Sequence, residues 1–554
     1  MDLTSLRAVL NDLRPALLPS RFEKAQQPHS SMLQLGFRTL SGMVWLELSW
    51  QADAPRLVQV PPPARSGAGS TLAQQLQHSL RQMALVELHQ DGFERVVEFR
   101  LAARPGEAIQ RVVVLELMGR HSNLLLLDDQ RQVVALGRQV RDHQTRVRPI
   151  GTGDAYTPPP ALQGQPPRSD ESFERWSERL KLVPVKLKTA LQQTYQGISP
   201  SLAEQLGGPL LDRPVHELSS SNWQQLHQQW RIWLQCLETD DFTLAFDAEG
   251  GFKVWGEINQ TAASSQLALS LGCWYRERLD RRSLDQRSRD VLQRLNRWRK
   301  KEEHALNDQR QRLGATSDSD ALQQKADALL CLQSPSRDQV DEAQKLYRRA
   351  RKLRRSVAVL KERIDHHSQR LALINGSETF IEDLQRAAWQ DTAPRLNAID
   401  DLKGELEEIL DPSRRTRTRR KAETGQPQPL ELTGPGGLLV QVGRNHRQND
   451  WISLRQARTG DLWFHAQECP GSHVVLKASS GLAEEADLQL ATDLAAHFSR
   501  ARGNTRVPVV MVPTDHLQRI PGAGPGTVRH RGGEIRWGEP LRAEQQLTTG
   551  KLLA

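Results

Sequence analysis

The run Gly460-Asp461-Leu462-Trp463-Phe464-His465-Ala466-Gln467-Glu468-Cys469-Pro470-Gly471-Ser472-His473-Val474-Val475-Leu476-Lys477 concentrates side chains that can bind nucleic acid. A Pro-Gly turn separates two apolar, strand-like stretches, which places Trp463, His465, Ser472 and His473 at one end of a small sheet. An indole and two imidazoles stack on bases, and imidazole and hydroxyl groups bond to phosphates. The same spacing fits a hairpin with a buried Trp and two satisfied histidines, and spacing alone leaves both readings open. A second group, Gly119-Arg120-His121-Ser122-Asn123, is a glycine turn that presents a guanidinium, an imidazole and an amide, groups suited to phosphates and base edges. Taken in isolation it is equally an ordinary surface turn. A third is a run of cations, Lys345, Arg348, Arg349, Arg351, Lys352, Arg354 and Arg355, followed by Lys361 and Arg363 with only Glu362 nearby. A solvated helix mixes charge signs at i, i+4, so an unbalanced face points to phosphates that complete it.

Composition agrees with a polyanionic partner. The formal charge is +9 and the isoelectric point about 9.5, although many solvated surfaces are as basic. Cys236, Cys273, Cys331 and Cys469 lie far apart without C-x-x-C spacing, which argues against a zinc site and against a disulfide framework. No catalytic residue, metal or cofactor is suggested by any spacing in the chain. The start lacks an apolar stretch of signal-peptide length and no run reaches transmembrane length, so the expectation is a cytoplasmic protein without a membrane partner.

The elements that must position these residues divide the 554-residue chain into several domains. Residues 1–150 combine a helical start with strand-like runs at Trp45–Trp50, Val96–Leu101 and Val112–Leu117, an α+β domain. Gly151–Ser172, rich in Pro and Gly, reads as a linker. Residues 173–243 are helical, with Gln196-Gly197-Ile198-Ser199-Pro200 as a tight turn before a helix start. Helix-hairpin-helix modules use such turns to offer backbone N–H groups to phosphates, and plain helical connections use them too. Residues 264–410 form an arm with following helices. In it Ala343, Leu346, Ala350, Leu353, Val357, Leu360, Ile364, His367, Leu371 and Ile374 recur at three- and four-residue steps, the seam of a coiled coil. Leu284, Val291, Leu295, Trp298, Ala305 and Leu313 give a looser seam on the partner helix, for an antiparallel arm roughly 50 Å long at 1.5 Å per residue. His367 on the seam reads as a register-setting or partly exposed polar residue. The basic run Arg414, Arg415, Arg417, Arg419, Arg420 and Lys421 falls in a Pro- and Gly-bearing linker, 411–430, and residues 431–542 form a last domain. The predicted class is therefore α+β multidomain: an N-terminal α+β domain, a helix-hairpin-helix module, a long antiparallel coiled coil and a C-terminal α+β domain.

The Gly460–Lys477 run, with Gly443-Arg444-Asn445-His446-Arg447-Gln448-Asn449-Asp450 before it, resembles the C-terminal signature of the NFACT family of ribosome quality-control factors, long called fibronectin-binding proteins. The stretch Leu85–Val97 resembles the family segment in which an Asp-Arg pair opens a strand; here the pair is Glu94-Arg95, which keeps the charge and adds one methylene. Glu116–Asn123 resembles the family's Gly-Arg-His-Ser-Asn turn, and Pro521–Val528 its lysine-containing loop. These matches are collinear and span nearly the whole chain. One departure is the arm tip, where family members insert a small subdomain and this chain passes from Ala326–Leu330 almost directly to Pro335, so a contact with the ribosomal stalk base is expected to be reduced.

The resemblance implies a non-enzymatic factor that binds large ribosomal subunits obstructed by peptidyl-tRNA and recruits alanyl-tRNA for mRNA-independent alanine tailing. It implies tRNA binding and elongation by Glu94, Arg95, Arg120, His121 and Asn123. RNA binding is implied for Asn445, Asn449, Asp450, Trp463, His465, Ser472 and His473, with the basic arm on ribosomal RNA. A small Hsp15-like RNA-binding partner belongs to the same expectation. Two other classes fit parts of it. A DNA-glycosylase-like repair protein would share the N-terminal fold, but the expected N-terminal proline amine and Cys₄ zinc finger have no counterpart here. A fibronectin-binding surface adhesin would need an export signal.

Overall fold

Alternating apolar residues in the first 140 positions pair into an antiparallel sheet of nine strands in the computed structural model, which describes residues 1–63, 69–141, 148–247, 250–256, 266–411, 426–520 and 522–549. The chain forms two compact units, one ending at Arg276 and the other beginning at Glu277. In the first, α1 (Leu3–Leu17) is followed by β1 (Ser20–His29), β2 (Met32–Thr39), β3 (Gly42–Ser49), β4 (Arg56–Val60), α2 (Thr71–Ser79), β5 (Ala84–His89), β6 (Val96–Ala102), β7 (Ile109–Glu116), β8 (Asn123–Leu127) and β9 (Val133–Leu136). Their order across the sheet is β4-β3-β2-β1-β5-β6-β7-β8-β9. Period-2 patterning explains why β7 can be buried on both sides: Val113 and Leu115 join the core that α1 closes, while Val112 and Val114 face Leu125, Leu127 and Tyr156.

The helical module of this unit is α3 (Phe173–Lys181), α4 (Leu187–Thr194), α5 (Pro200–Gly207) and α6 (Ser220–Thr239), followed by a two-residue hairpin of β10 (Ala245–Phe246) and β11 (Phe252–Lys253). Its core is aromatic, Trp230 packing on Trp176, Tyr195 and Trp233 at ring separations of 5.9, 4.7 and 5.0 Å. The Trp233 indole N–H donates to Thr4 Oγ1 at 3.0 Å and joins the module to α1. Ser199 caps α5, accepting from Leu202 N, with Pro200 in the first helical turn. The stretch 151–172 has no helix or strand of its own, but it is fastened at both ends. Tyr156 donates to Glu116 Oε1 and Gln165 N to Thr194 O, so this expected linker is a packed connection.

The second unit contains most of α7 (Leu267–Gly314), then α8 (Asp318–Leu330), α9 (Arg337–Arg386) and α10 (Thr392–Leu410). Ser336 caps α9 in a reciprocal box with Gln339. The two expected seams meet, and the structure adds a third helix. Leu284, Val291 and Leu295 of α7 pack with Ile374, Phe380 and Ile381 of α9 and with Ile399, Leu402 and Leu406 of α10. Farther out Leu306, not Ala305, is buried on α7, and the stretch of α9 that carries the buried Ala343 and Ala350 runs along α8, where Tyr347 bonds Asp327 and Arg354 bonds Asp320. His367 is a partly exposed polar residue of the seam, as its position predicts: its Nδ1 lies 2.6 Å from buried Glu302, which also receives Arg370 at 2.8 Å. The charged basic run 414–421 lies outside the described residues.

The last domain is a six-stranded antiparallel sheet of β12 (Leu430–Thr433), β13 (Leu439–Val442), β14 (Leu462–Ala466), β15 (Val474–Leu476), β16 (Val507–Pro513) and β19 (Glu534–Gly538), ordered β12-β13-β15-β14-β16-β19. The small ribbon of β17 (Leu517–Arg519) and β18 (Val528–His530) stands apart from it. One face is covered by α12 (Glu485–His497) and α13 (Pro540–Thr548) over Phe464, Val474 and Val509. The other carries Trp463, Val475, Val510 and Val512 beneath Ile452 and Leu517. The short helix α11 (His446–Asp450) and a π-helical turn at Trp451–Arg455 lead from β13 to β14. Among the described residues no helix is long and apolar enough to cross a membrane.

Candidate nucleic-acid interface

Strand alternation puts Trp463 and His465 on the same face of β14, and their rings stack at 5.6 Å with 9° between planes. His473, which enters β15, meets the indole edge-on at 5.1 Å and His465 at 5.4 Å. His530 of β18 completes the group, 6.0 Å from Trp463. These rings line a cavity of about 700 Å³ whose far wall is α9, with Asn375, Gly376 and Phe380, and whose rim is the glycine-rich stretch Pro525–Gly533. The sequence-selected motif therefore forms one wall of a pocket. Its opposite wall comes from residues more than 80 positions earlier, which no local spacing could signal.

Burial sorts the implied RNA contacts. Trp463 is only 3% exposed and Ser472 is fully enclosed, and neither Trp463 Nε1 nor Ser472 Oγ has a hydrogen-bond partner among the described residues. Asn445 is turned inward as the cap of α11, accepting from Gln448 N at 2.8 Å. Asn449 Oδ1 accepts from His473 N at 3.1 Å and its side chain reaches the cavity wall. Asp450 lies 3.7 Å from Arg519. Asn445 and Ser472 thus shape the site from behind, because the chain needs the first to start a helix and closes the second under Phe498, whose carbonyl accepts from Ser472 N. Among the pocket residues, Trp463, His465 and His473 present ring surface or edges to the cavity.

Burial also sets the charge of the site. His465 and His446 are pushed down from 6.5 to about 4 by loss of water, and His473 is held well below its ordinary value for the same reason. At neutral pH His446, His465 and His473 are therefore neutral imidazoles, each able to donate and accept one hydrogen bond. His446, missed as a functional position, fixes the α9 wall: its Nε2 lies 3.1 Å from Leu373 O and 3.0 Å from Ser377 Oγ. Gly376 permits this approach, since a Cβ there would lie 2.8 Å from His446 Cε1. A buried ion pair between Arg502 and Asp383 joins the sheet domain to α9 about two turns farther on.

The first unit holds a second cluster at one end of its sheet. Leu117 N donates to Arg95 O, so Glu94-Arg95 lies beside the β7 end from which Gly119–Asn123 leads into β8. Glu94 and Arg95 make no ion pair with each other. Glu94 Oε1 accepts from Leu162 N at 3.2 Å, while its Oε2 is buried without a hydrogen-bond partner among the described residues. Arg95 is held below its ordinary value by burial, with Asp2 and then Glu94 opposing. Arg120 and His121 are exposed, 3.1 Å apart. Asn123 points inward, bonding Arg138 O at 2.8 Å and receiving Arg138 N at 2.9 Å. The turn at Gly197 packs against this end: a Cβ there would meet Leu3 at 2.9 Å and Phe93 at 3.1 Å. Gln196 N is spent on Gln165 O, so the turn is closed against the sheet domain.

The cations of α9 face solvent. Arg348, Arg349, Arg351, Lys352 and Arg355 are exposed, and none of them makes an ion pair among the described residues. Arg354 bonds Asp320 of α8 at 2.8 Å. No group of His, Cys, Asp and Glu that could hold a metal ion occurs among the described residues.

Residues 2–339 and 334–424 match the model of the NFACT N-terminal and middle domains, and residues 432–532 match the NFACT protein RNA binding domain. Among curated proteins the chain is similar to the Rqc2 homolog RqcH of Streptococcus pneumoniae, 25% identical over 557 residues and 95% of each chain. It is also similar to the Rqc2 homolog RqcH of Streptococcus suis, 26% identical over 546 residues and 94% of each chain, and to that of Bacillus subtilis, 23% identical over 485 residues, 80% of this chain and 81% of the other. Two solved structures resemble parts of it. One is the C-terminal part of the fibronectin/fibrinogen-binding protein from Streptococcus suis, with 26% identity, a TM-score of 0.39 and coverage of 48% of this chain and 98% of that one. The other is the N-terminal part of the same protein, with 21% identity, a TM-score of 0.39 and coverage of 50% and 99%.

Proposed function

Because this chain belongs to the NFACT family, we propose that it is a ribosome quality-control factor that binds large ribosomal subunits obstructed by peptidyl-tRNA. It recruits alanyl-tRNA, and alanine residues are added to the stalled chain without mRNA. The ribosome makes the peptide bonds, and the protein acts by binding, not as an enzyme. An Hsp15-like RNA-binding protein is a candidate partner on the same subunit.

The observation that carries this reading is the α9 face, where five exposed cations make no ion pair among the described residues. Uncompensated cations at neighbouring helical positions repel one another, and a phosphate backbone removes that repulsion while releasing counterions. The arm then supplies affinity, and the two clusters supply contacts of defined geometry. Glu94, with one buried oxygen left without a hydrogen bond among the described residues, and the half-buried Arg95 are suited to hold tRNA with Arg120 and His121, Asn123 fixing the turn. Trp463, His465 and His473 receive RNA in the C-terminal pocket, with Asn445, Asn449, Asp450 and Ser472 holding its wall.

Charge reversal tests the arm. Replacing Arg348, Arg349, Arg351 and Arg355 by Glu is expected to release the protein from large subunits at moderate salt. The salt dependence of the residual binding should be shallower by about one power of salt concentration per lost phosphate contact. Pelleting with subunits as in the unaltered protein would refute it.

A further inference from the structure

At the rim of the pocket, which Ile535 lines, β19 forms the outer strand of the sheet, and its residues lie past the stretch matched to the RNA-binding domain. The pairing His465↔Val510 and Val510↔Ile535 puts Ile535 in the same cross-strand row as the pocket imidazole. Trp537, paired with Pro508, is two residues along the same face, about 6.6 Å farther at 3.3 Å per residue. Both are out in solvent, Ile535 at 45% and Trp537 at 57% exposure. A free tryptophan on a sheet edge next to a ring-lined cavity has no packing role, because α12 and α13 cover the opposite face.

Two guanidiniums of this stretch are left uncommitted. From His516 to Glu539 the chain carries Arg519, Arg529, Arg531 and Arg536; Arg519 lies against Asp450 and Arg536 against Glu485 and Glu534, which leaves Arg529 and Arg531. Strand alternation in β18 turns His530 toward Trp463 and leaves Arg529 and Arg531 exposed, and neither makes an ion pair among the described residues. An apolar protein surface would meet these guanidiniums at a desolvation cost, whereas a nucleotide strand supplies a ring for the indole and a phosphate for the arginines.

We propose that Trp537 and Ile535 form a stacking shelf for single-stranded RNA, on which the nucleotide next to the one held in the Trp463–His465 pocket lies, with Arg529 and Arg531 on its phosphates. The inference rests on the reading of the C-terminal domain as RNA-binding and names its ligand as an unpaired strand. Backbone-tracking arginines with a sequence-tolerant aromatic platform predict little preference among bases.

The test uses the full chain and fluorescein-labelled U₈ and A₈ oligonucleotides, with an eight-base-pair RNA duplex as comparison. Trp537→Ala should weaken both single strands about tenfold, Trp537→Phe less than threefold, and the duplex should be nearly unaffected. Arg529→Gln with Arg531→Gln should flatten the salt dependence. Unchanged single-strand affinity in Trp537→Ala, or equal loss in the Phe and Ala variants, overturns the shelf. A concentration-dependent dimer that dissociates in Trp537→Ala also overturns it, by assigning the edge to a second copy. Pelleting of the same preparations with large subunits separates the two levels. If the unaltered protein pellets while Trp537→Ala binds oligonucleotides normally, only the shelf fails; if the unaltered protein neither pellets nor binds oligonucleotides, the wider reading fails with it.

Discussion

Trp463 is at once the ring most suited to RNA and a core residue, and the two roles separate by substitution. At 3% exposure, Trp463→Ala is expected to cost about 3–5 kcal/mol of stability, measured by denaturant unfolding, so loss of RNA binding in that variant reports mainly the collapse of the pocket. His465, half-buried at the cavity, is the cleaner probe. Its imidazole, pushed down to about 4 by burial, should stay neutral by NMR titration until the pH falls well below 6.5. Between pH 6.5 and 4 the unfolded chain takes up a proton there that the folded one refuses, so its share of stability is complete above 6.5 and is lost as the pH falls. Glu405, whose carboxyl burial pushes up to about 7, acts with the opposite sign over the same interval. The His465 share is therefore read as the difference in pH slope between the unaltered protein and His465→Gln. At the other end of the chain, Glu94→Ala with Arg95→Ala should leave subunit pelleting intact and remove bound tRNA and tail addition, while Glu94→Asp should preserve them. Normal tails from the double alanine variant in a reconstituted assay would return these residues to structural chemistry.

Helices and strands were legible where a period runs unbroken and one face is buried. The 3–4 spacing of Ala343, Ala350, Leu360 and Ile374 identifies α9, and all four are buried. The same spacing could not reveal that its last turns serve a second purpose, because Gly376 looks like a weak helix former until His446 of α11 is packed against it. Likewise the spacing marks His367 as a polar residue on the seam but cannot name its partner, Glu302, which lies 65 positions earlier. Nor did the Pro- and Gly-rich stretch 151–172 disclose that it is pinned by Tyr156 and Gln165, since both partners are distant in sequence. Gly376 gives an element-scale prediction with an inverted sign. Gly→Ala inside a helix ordinarily stabilises by about 1 kcal/mol. Here the new methyl group would stand 2.8 Å from His446 Cε1. Gly376→Ala should lower the melting temperature and loosen α9 from the sheet domain; a raised melting temperature would show that the helix and His446 are not so closely joined.

At the scale of the whole chain, the α+β multidomain class was readable from composition, punctuation and the collinear motifs, whereas the pocket was not, because it exists only where α9 meets a domain that follows it by some fifty residues. In the proposed function, affinity comes from distributed charge on the arm and discrimination from the two ring- and guanidinium-bearing clusters. Such a division predicts that arm variants change binding to all RNA alike and cluster variants change which RNA is held. The most direct measurement is purification of the tagged protein from cells at moderate salt, followed by sequencing of the RNA that accompanies it. Large-subunit ribosomal RNA in excess over small-subunit RNA, together with one dominant tRNA, alanine-accepting, is the predicted result. Equal recovery of both subunits' RNA, or no enrichment of RNA over an untagged control, would contradict the assignment.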